Sequence, residues 1–459
     1  MVLVRFFCGA SIKHPMDFIL AGGGSEEQLI DSLDFSALKP SANYITNRRS
    51  TQYYPQGQST FSSSAGANVA RITLGGSDGS WIDPSTLRIC WRVHNTGTTG
   101  ADGFVQPVSG AHCFINRLEL RCNGTLLEDL HGYGRLHEML SRLKPRDWRN
   151  NEMLCSGGVY DVDEMAMDFE LGTPIIDPGK YLSMSCKPFL GVTNAGKMLP
   201  TKYAPLTLEI HFAPATDAVY QNGNYHPAGN TGTERNVSNM YELDDLHIKC
   251  DVVTLDSALD NSLTQILMSN KALTWSYNTW YQQTGLINEA SETSITLSRA
   301  VTRMKSLFLT FSTVTPNTST VIEMIHPSGG IPNKLDARWS VSDPTFTLQV
   351  ALGNKLFPEL PCKSVANFWE HLRKAVDVHD TSSRSLSMRP VQYLADQFIA
   401  AFSMEKVPGA GFSGLNTRSG DAIRLEMKGL TVGLAPRFFV NICSDNIVEI
   451  RESGVSRYE

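Results

Sequence analysis

Several short stretches of this 459-residue chain carry residue types and spacings that do chemistry in other proteins. Gly75-Gly76-Ser77-Asp78-Gly79 has the G-x-S-x-G form of a hydrolase nucleophile, which needs a strand before the serine and a helix after it to hold the hydroxyl on a strained turn. Trp81-Ile82-Asp83-Pro84 follows instead, where no helix can begin, so a polar turn is expected. Gly191 to Met198 comes within one residue of a phosphate-binding P-loop. The hydroxyl that would hold Mg²⁺ is missing, and Pro200 blocks the helix whose N-terminus should face the phosphates. Gly409-Ala410-Gly411-Phe412-Ser413-Gly414 fits G-x-G-x-x-G, but Asn416, Ser419, Gly420 and Asp421 stand where a dinucleotide fold would have a helix.

His137-Glu138 opens like the helix of a zinc protease, yet Ser141 occupies the place of the second ligand, leaving a polar helix face as the expectation. Asp161, Asp163, Glu164 and Asp168 form an acidic run without the glycine that turns an EF-hand loop, so a solvated loop is expected. The basic run Arg142, Lys144, Arg146 and Arg149 surrounds Trp148. It is read as a solvated helix end favoured by the helix dipole, with phosphate contact as the alternative. No catalytic, cofactor-binding or metal-binding set emerges, and the chain is expected not to be an enzyme.

The elements that would position such residues are overwhelmingly strands. Apolar and polar residues alternate at Leu87, Ile89, Trp91 and Val93, at Leu118, Leu120 and Cys122, at Leu206, Leu208, Ile210 and Phe212, and at Ile248, Cys250 and Val252. The later half repeats the rhythm at Leu307, Leu309 and Phe311, at Phe346, Leu348 and Val350, and at Ile423, Leu425 and Met427. Asn123-Gly124 predicts a tight hairpin turn. Three segments read as helices: Ser25 to Leu33 behind a capping box, Leu130 to Leu143 ended by Pro145, and Val365 to Val376 capped by Ser364. Helix and strand order suggest an internal duplication, in which Leu206-Thr207-Leu208-Glu209-Ile210-His211-Phe212 lies on Ile423 to Gly429 and the helix at Leu130 on that at Val365. A polar insertion, Pro214 to Asn239, fits the remaining drift, and the boundary is placed near Asp256 to Asn261.

Bulk properties agree with a large all-β protein. Hydrophobic residues are 41% and charged residues 19%, and the net charge of -6 speaks against general polyanion binding. Nine cysteines without a C-x-x-C pair suggest thiols used as small hydrophobes in a reducing site of folding. The first ten residues lack an uninterrupted apolar run, so no secretory signal is expected, and the sequons at Asn123, Asn236 and Asn317 then predict no glycan. No window reaches the roughly 18 apolar residues of a membrane span.

Three stretches carry a family resemblance: Trp81 to Asn95, Arg117 to Leu130, and Tyr133-Gly134-Arg135-Leu136-His137-Glu138-Met139. They resemble the first barrel of double jelly-roll major capsid proteins, nearest in pattern to those of Polinton-like viruses and virophages. Gly414 to Asp421 followed by Ile447 to Val455 resembles the closing strands of the second barrel. The resemblance implies two tandem eight-stranded antiparallel jelly-roll barrels with a few flanking helices: an N-terminal arm over 1–43, a first barrel over 44–256 and a second over 257–459. It further implies a homotrimer forming a pseudo-hexagonal capsomer, neighbouring capsomers, penton and minor capsid proteins as partners, and an icosahedral virion shell around double-stranded DNA. Contact with that DNA would be weak and non-specific at most, with Arg142, Lys144, Arg146 and Arg149 as a possible inner-face patch. On this reading the Pro214 to Asn239 insertion joins the last two strands of the first barrel and projects outward, and the arm lies against a neighbour or the shell's inner face. The alternative from another class is a carbohydrate-binding or carbohydrate-processing β-sandwich, with Trp275 and Trp280 as stacking platforms.

Overall fold

Alternation at period two puts one side of each strand in a core, and two such sheets must face each other to dry both sides. The computed structural model describes residues 44–62, 68–75, 80–98, 103–107, 109–157, 176–219, 238–286, 292–312, 346–378, 386, 388, 393, 398–407, 412–418, 422–429 and 437–459. The arm over 1–43, its Ser25 helix, the acidic run at Asp161 to Asp168 and most of the Pro214 to Asn239 insertion lie outside them. Residues Ile45 to Glu459 form one compact unit.

The first barrel contains β1 (Ile45–Tyr53), β2 (Phe61–Ser62), β3 (Val69–Leu74), β4 (Trp81–Asn95), β5 (Ile115–Cys122), β6 (Thr125–His131), β7 (Tyr181–Cys186), β8 (Leu206–Phe212) and β9 (Tyr241–Leu255). The second contains β10 (Leu273–Leu286), β11 (Glu292–Leu297), β12 (Met304–Ser312), β13 (Thr347–Leu352), β14 (Lys355–Cys362), β15 (Ala400–Ser403), β16 (Ile423–Lys428), β17 (Arg437–Arg451) and β18 (Gly454–Tyr458). Sheet orders are β1-β9-β4-β7 and β3-β8-β5-β6 in the first, β10-β17-β12-β15 and β11-β16-β13-β14 in the second. Every pairing between these strands is antiparallel. Each set of eight strands therefore follows one topology, first-eighth-third-sixth in one sheet and second-seventh-fourth-fifth in the other. That is the jelly roll, made twice. Only the short β2 and the closing β18 stand outside the repeat, paired to β9 and β17.

The duplication expected from sequence is present strand for strand, since β8 and β16 hold the same place in their sheets. Asn123 and Gly124 take positive φ at the β5–β6 turn, as the hairpin requires. In the first core Ile72, Leu118, Leu208 and Ile210 are buried together with Ile89, Trp91, Val93 and Ile248. In the second, Leu307, Leu309, Leu348, Val350 and Leu425 do the same work beside Phe346, Phe368 and Phe398. Each such side chain contributes about 1.5–3 kcal/mol on burial.

After the fifth strand of each eight-strand set comes a helix, α1 (Tyr133–Arg142) in the first, then α2 (Arg146–Met153) behind Pro145. A single turn, α3 (Ala215–Ala218), follows β8, and α4 (Ser257–Met268) stands between the barrels in sequence, with the Asp256 carboxylate accepting from the Ala258 N–H. The second barrel's helix is α5 (Val365–Ala375), whose Ser364 hydroxyl accepts from the Asn367 N–H as the sequence predicts. Two of these helices correct the sequence reading. The basic run was assigned to one helix end, whereas Pro145 ends α1 and starts α2 within it. The stretch around the expected boundary, Asp256 to Asn261, opens a helix that the sequence reading did not include, α4, with only Leu267 buried, so its weak apolar stripe gave little periodic signal.

Candidate functional site

Two places concentrate buried polar side chains: a charge cluster under α1 and α2, and the seam between the barrels. In the first, α1 turns Glu138 and Arg142 inward one helical turn apart. The Glu138 carboxylate accepts from Arg142 Nε at 2.6 Å and Nη2 at 2.5 Å, lies 3.6 Å from Arg149 of α2, and meets His112 Nε2 at 3.1 Å. Ser109 donates to the same carboxylate at 3.3 Å. His112 stacks on His137 with ring centres 4.3 Å apart, and His137 in turn packs on Phe189, which Trp148 covers. Burial alone would raise the Glu138 pKa, but the charge of Arg142, the His112 hydrogen bond and Arg149 together hold it well below the usual carboxylate range. Burial, reinforced by His112, pushes His137 well below the usual imidazole value, so it stands neutral.

These contacts correct two expectations. His137 and Glu138 are not a polar face in water but almost fully buried, and Arg142, read as part of a solvated helix end, is 1% exposed. Arg149 is largely buried beside it, Lys144 is exposed with its ammonium 5.9 Å from the centre of the Phe189 ring, and Arg146 is half-buried. The structure thus brings Arg142 and Arg149 together on an internal carboxylate and leaves Lys144 and Arg146 nearer water. Nothing in the i, i+4 spacing of Glu138 and Arg142 separates a buried pair from an exposed one, which is why the cluster was missed.

Ser109, His112 and Glu138 have the residue types of a hydrolytic triad. Both partners meet the same ring nitrogen, Nε2, at 3.2 Å from Ser109 and 3.1 Å from Glu138. A proton relay needs them on opposite nitrogens, so the group is a hydrogen-bonded brace. The cleft beside it, lined by His137, Trp148, Glu152 and Lys187 among others, has a free volume of about 40 Å³, enough for a few waters.

Of the motifs set aside in sequence, the Gly75 stretch leads into β4 and no helix, with Ser77 outside the described residues. The near-P-loop does hold an acidic group, but the chain's own: the N–H groups of Gly191 and Val192 donate to the Glu128 carboxyl oxygens at 2.9 and 2.8 Å. Gly414, at the end of the G-x-G-x-x-G stretch, backs directly onto Arg303 and Met304, and residues 408–411 are outside the described set. Glu119, Glu209 and His211 lie close enough to share a cation. Arg71, Arg117 and Arg121 pair with those carboxylates at 2.9, 2.9 and 2.8 Å, so the charge is already balanced along that sheet face. Trp275 and Trp280 are partly buried and pack against the core, the latter 5.4 Å from Phe308.

The seam is the larger feature. Edge strand β6 and helix α1 of the first barrel lie against β10, β12 and β17 of the second. Tyr277 donates to the Leu127 carbonyl at 2.7 Å, and Thr125 donates to that of Val455 at 3.0 Å. Arg135 reaches the Phe311 carbonyl at 2.5 Å with its guanidinium 4.1 Å from the centre of the Phe439 ring, and Asn441 contacts the Met139 sulfur at 3.6 Å. Gly191 sits so close to the Asn278 carbonyl that a Cβ would lie 1.6 Å from its oxygen. Glu128 is wholly buried here, and burial raises its pKa to about 7 against the opposing N–H groups of Val192 and Gly191, the charge of Arg457 and the Thr279 hydroxyl. Six of the eight described cysteines are also buried, and burial raises the thiols of Cys122, Cys250 and Cys443 to about 12, in keeping with packing use.

Two jelly rolls of identical strand order, docked side by side in one unit, define a double jelly-roll protein. Similar folds among solved structures are those of viral capsid proteins. PBCV-1 VP54, fitted into a cryo-EM reconstruction of the virophage Sputnik, matches with a TM-score of 0.61 at 12% identity over 91% of this chain and 98% of that one. The Faustovirus major capsid protein matches at 0.58 and 8% identity over 94% and 96%. The Sputnik virophage structure matches at 0.57 and 11% identity over 98% and 93%. No protein-family model and no curated protein matches the sequence. Among the described residues no helix is long and apolar enough to cross a membrane.

Proposed function

We propose that this chain is a major capsid protein, a structural and non-enzymatic subunit that trimerises into pseudo-hexagonal capsomers tiling an icosahedral shell around double-stranded DNA. The observation that carries the reading is coverage: the structural match extends over 91–98% of this chain and 93–98% of each of the capsid proteins. Penton and minor capsid proteins are the partners such a shell requires, and the virion is its location. The arm over 1–43 belongs on this reading against a neighbour or the inner face, and the 214–239 insertion, between β8 and β9, on the outer surface. The basic patch narrows in this proposal to Lys144 and Arg146, because Arg142 and Arg149 serve Glu138.

Electron microscopy of the purified full-length protein tests the reading. Hexagonal capsomers or closed shells are the expected result, and monodisperse particles the size of one chain would overturn it. Replacing Lys144 and Arg146 with Gln should lower DNA retention within shells at moderate salt while leaving shell closure intact. Unchanged retention would remove them from any genome contact.

A further inference from the structure

Glu119, Glu138 and Glu209 each meet two guanidiniums, and Glu459, just after β18, meets three. Its Oε1 accepts from Arg299 at 2.6 Å, from the Tyr281 hydroxyl of β10 at 2.8 Å and from Arg457 of β18, while its Oε2 accepts from Arg418 at 2.5 Å. Arg299 comes from the connection between β11 and β12, and Arg418 from that between β15 and β16. Four separate segments thus converge on one carboxylate. Arg457 also donates to the Leu126 carbonyl of the first barrel at 3.3 Å, and the Arg299 guanidinium lies 4.3 Å from the centre of the Tyr281 ring. Burial alone would raise the Glu459 pKa, but the Tyr281 hydroxyl and the three guanidiniums together lower it, so the group stands ionised. Among the described residues no other side-chain carboxylate lies at ion-pair distance from any of these three arginines. Arg71, Arg117 and Arg121 differ in this respect, because they share the carboxylates of Glu119, Asp129 and Glu209.

We propose that Arg299 and Arg418, with the largely buried Arg457, form a receptor for a phosphate group that binds beside Glu459. The Glu459 carboxylate offsets one of the three positive charges it gathers. The surplus matches a phosphate, which carries about −1.5 to −2 near neutral pH, whereas a second carboxylate would leave one charge over. Three guanidiniums held around one carboxylate repel one another, and a bound dianion relieves that repulsion. Donors are available as well. A guanidinium presents a planar fork of N–H groups that suits phosphate oxygens in pairs, and Arg299 and Arg418 each commit one nitrogen to Glu459. Their side chains are 46% and 52% exposed, against 13% for both Arg457 and Glu459, so two open forks stand over a largely buried charged floor. Both arginines touch oxygens of the same carboxyl group, which places them within reach of a single tetrahedral oxyanion. The site goes beyond the capsid reading and does not depend on assembly.

The test is thermal unfolding of the full chain, titrated with inorganic phosphate and separately with adenosine monophosphate, each against sodium chloride of equal ionic strength. The midpoint should rise and saturate, because a ligand that binds only the folded chain stabilises it. A response to both compounds assigns the site to the phosphate group itself, a response to inorganic phosphate alone to the free ion, and a response to the nucleotide alone to a phosphate on an organic carrier. No saturable rise with either would overturn the proposal. The double substitution Arg299→Gln and Arg418→Gln removes two half-exposed side chains and should weaken binding roughly tenfold or more, with the circular dichroism spectrum unchanged. A rise that survives it belongs to another site and would overturn the proposal too. Glu459→Gln keeps the shape of the acid while removing its charge, so it should bind phosphate several-fold more tightly than wild type. Equal or weaker binding by that variant, folded as judged by the same spectrum, would count against a charge-balanced receptor and overturn it.

Discussion

Helices α1 and α5 begin at equivalent points of the two barrels and carry the same acid–base spacing, yet their pairs live in different solvents. Glu138 and Arg142 are 3% and 1% exposed, while their counterparts Glu370 and Lys374 are 59% and 45% exposed. Both pairs close at 2.5 Å. Local sequence sets the spacing, and what covers the helix sets the energy. Over α1 lie α2 with Arg149 and the segment from Ser109 to Phe114. Along α5 only Phe368 and Leu372 are buried. Under the first helix, stripping water from two charges makes each depend on the other. In the open pair water screens both.

The largest expected effect comes from breaking the covered pair. Glu138→Ala leaves the Arg142 guanidinium buried beside Arg149 without the carboxylate that both face, and should cost about 3–5 kcal/mol of stability. Denaturant unfolding followed by tryptophan fluorescence measures it. A loss below about 1 kcal/mol would mean that the buried cluster behaves like a surface pair, and the contrast between the helices would collapse.

Glu128 at the seam gives the next effect, and its sign is opposite to that of Glu138. With a folded value of about 7 against an ordinary 4.5, the native state prefers the protonated form. Its stabilising contribution is therefore fully present below pH 4.5 and is lost as pH rises through about 7. Integrated over that window the difference is of order 3 kcal/mol. The Glu138 contribution runs the other way, present above the ordinary carboxylate range and lost as pH falls through its depressed value. The readout is accordingly the difference between wild type and Glu128→Gln in thermal midpoint across pH 5 to 8. Wild type should lose ground to the variant as pH rises, and parallel curves would show that the seam does not hold a perturbed carboxyl.

Gly191→Ala probes the seam by volume. The added methyl meets the Asn278 carbonyl, so one barrel must shift from the other at a cost of about 1–3 kcal/mol. An unchanged unfolding midpoint would show a looser seam than the one described.

Much of the fold was legible in the sequence because its signals are local. Alternation marked the strands, Asn123-Gly124 the hairpin, Ser364 the cap of α5, and the match of Leu206 to Phe212 with Ile423 to Gly429 placed β8 and β16 at the same position in their sheets. The buried cluster was not legible, because the partners of Glu138 come from Ser109, His112 and Arg149, and no spacing rule joins them. The cradle at Gly191 was half visible: its glycines looked like a phosphate loop, but the carboxyl group that its N–H groups hold lies on β6, far off in sequence. Helix α4 escaped because a half-exposed helix with one buried residue has almost no periodic signature.

The smallest effect is the one that gives the contrast its meaning. Glu370→Gln removes the acid of the α5 pair while keeping its shape, and the stability of the isolated chain should not change measurably. The Lys374 charge draws Glu370 below the ordinary carboxylate value through their hydrogen bond, but both side chains are wet, and an exposed i, i+4 pair adds little. Denaturant unfolding of the variant beside wild type measures it. An effect on the isolated chain would mean that α5 is already covered there, and that the two helices differ less than their exposure implies.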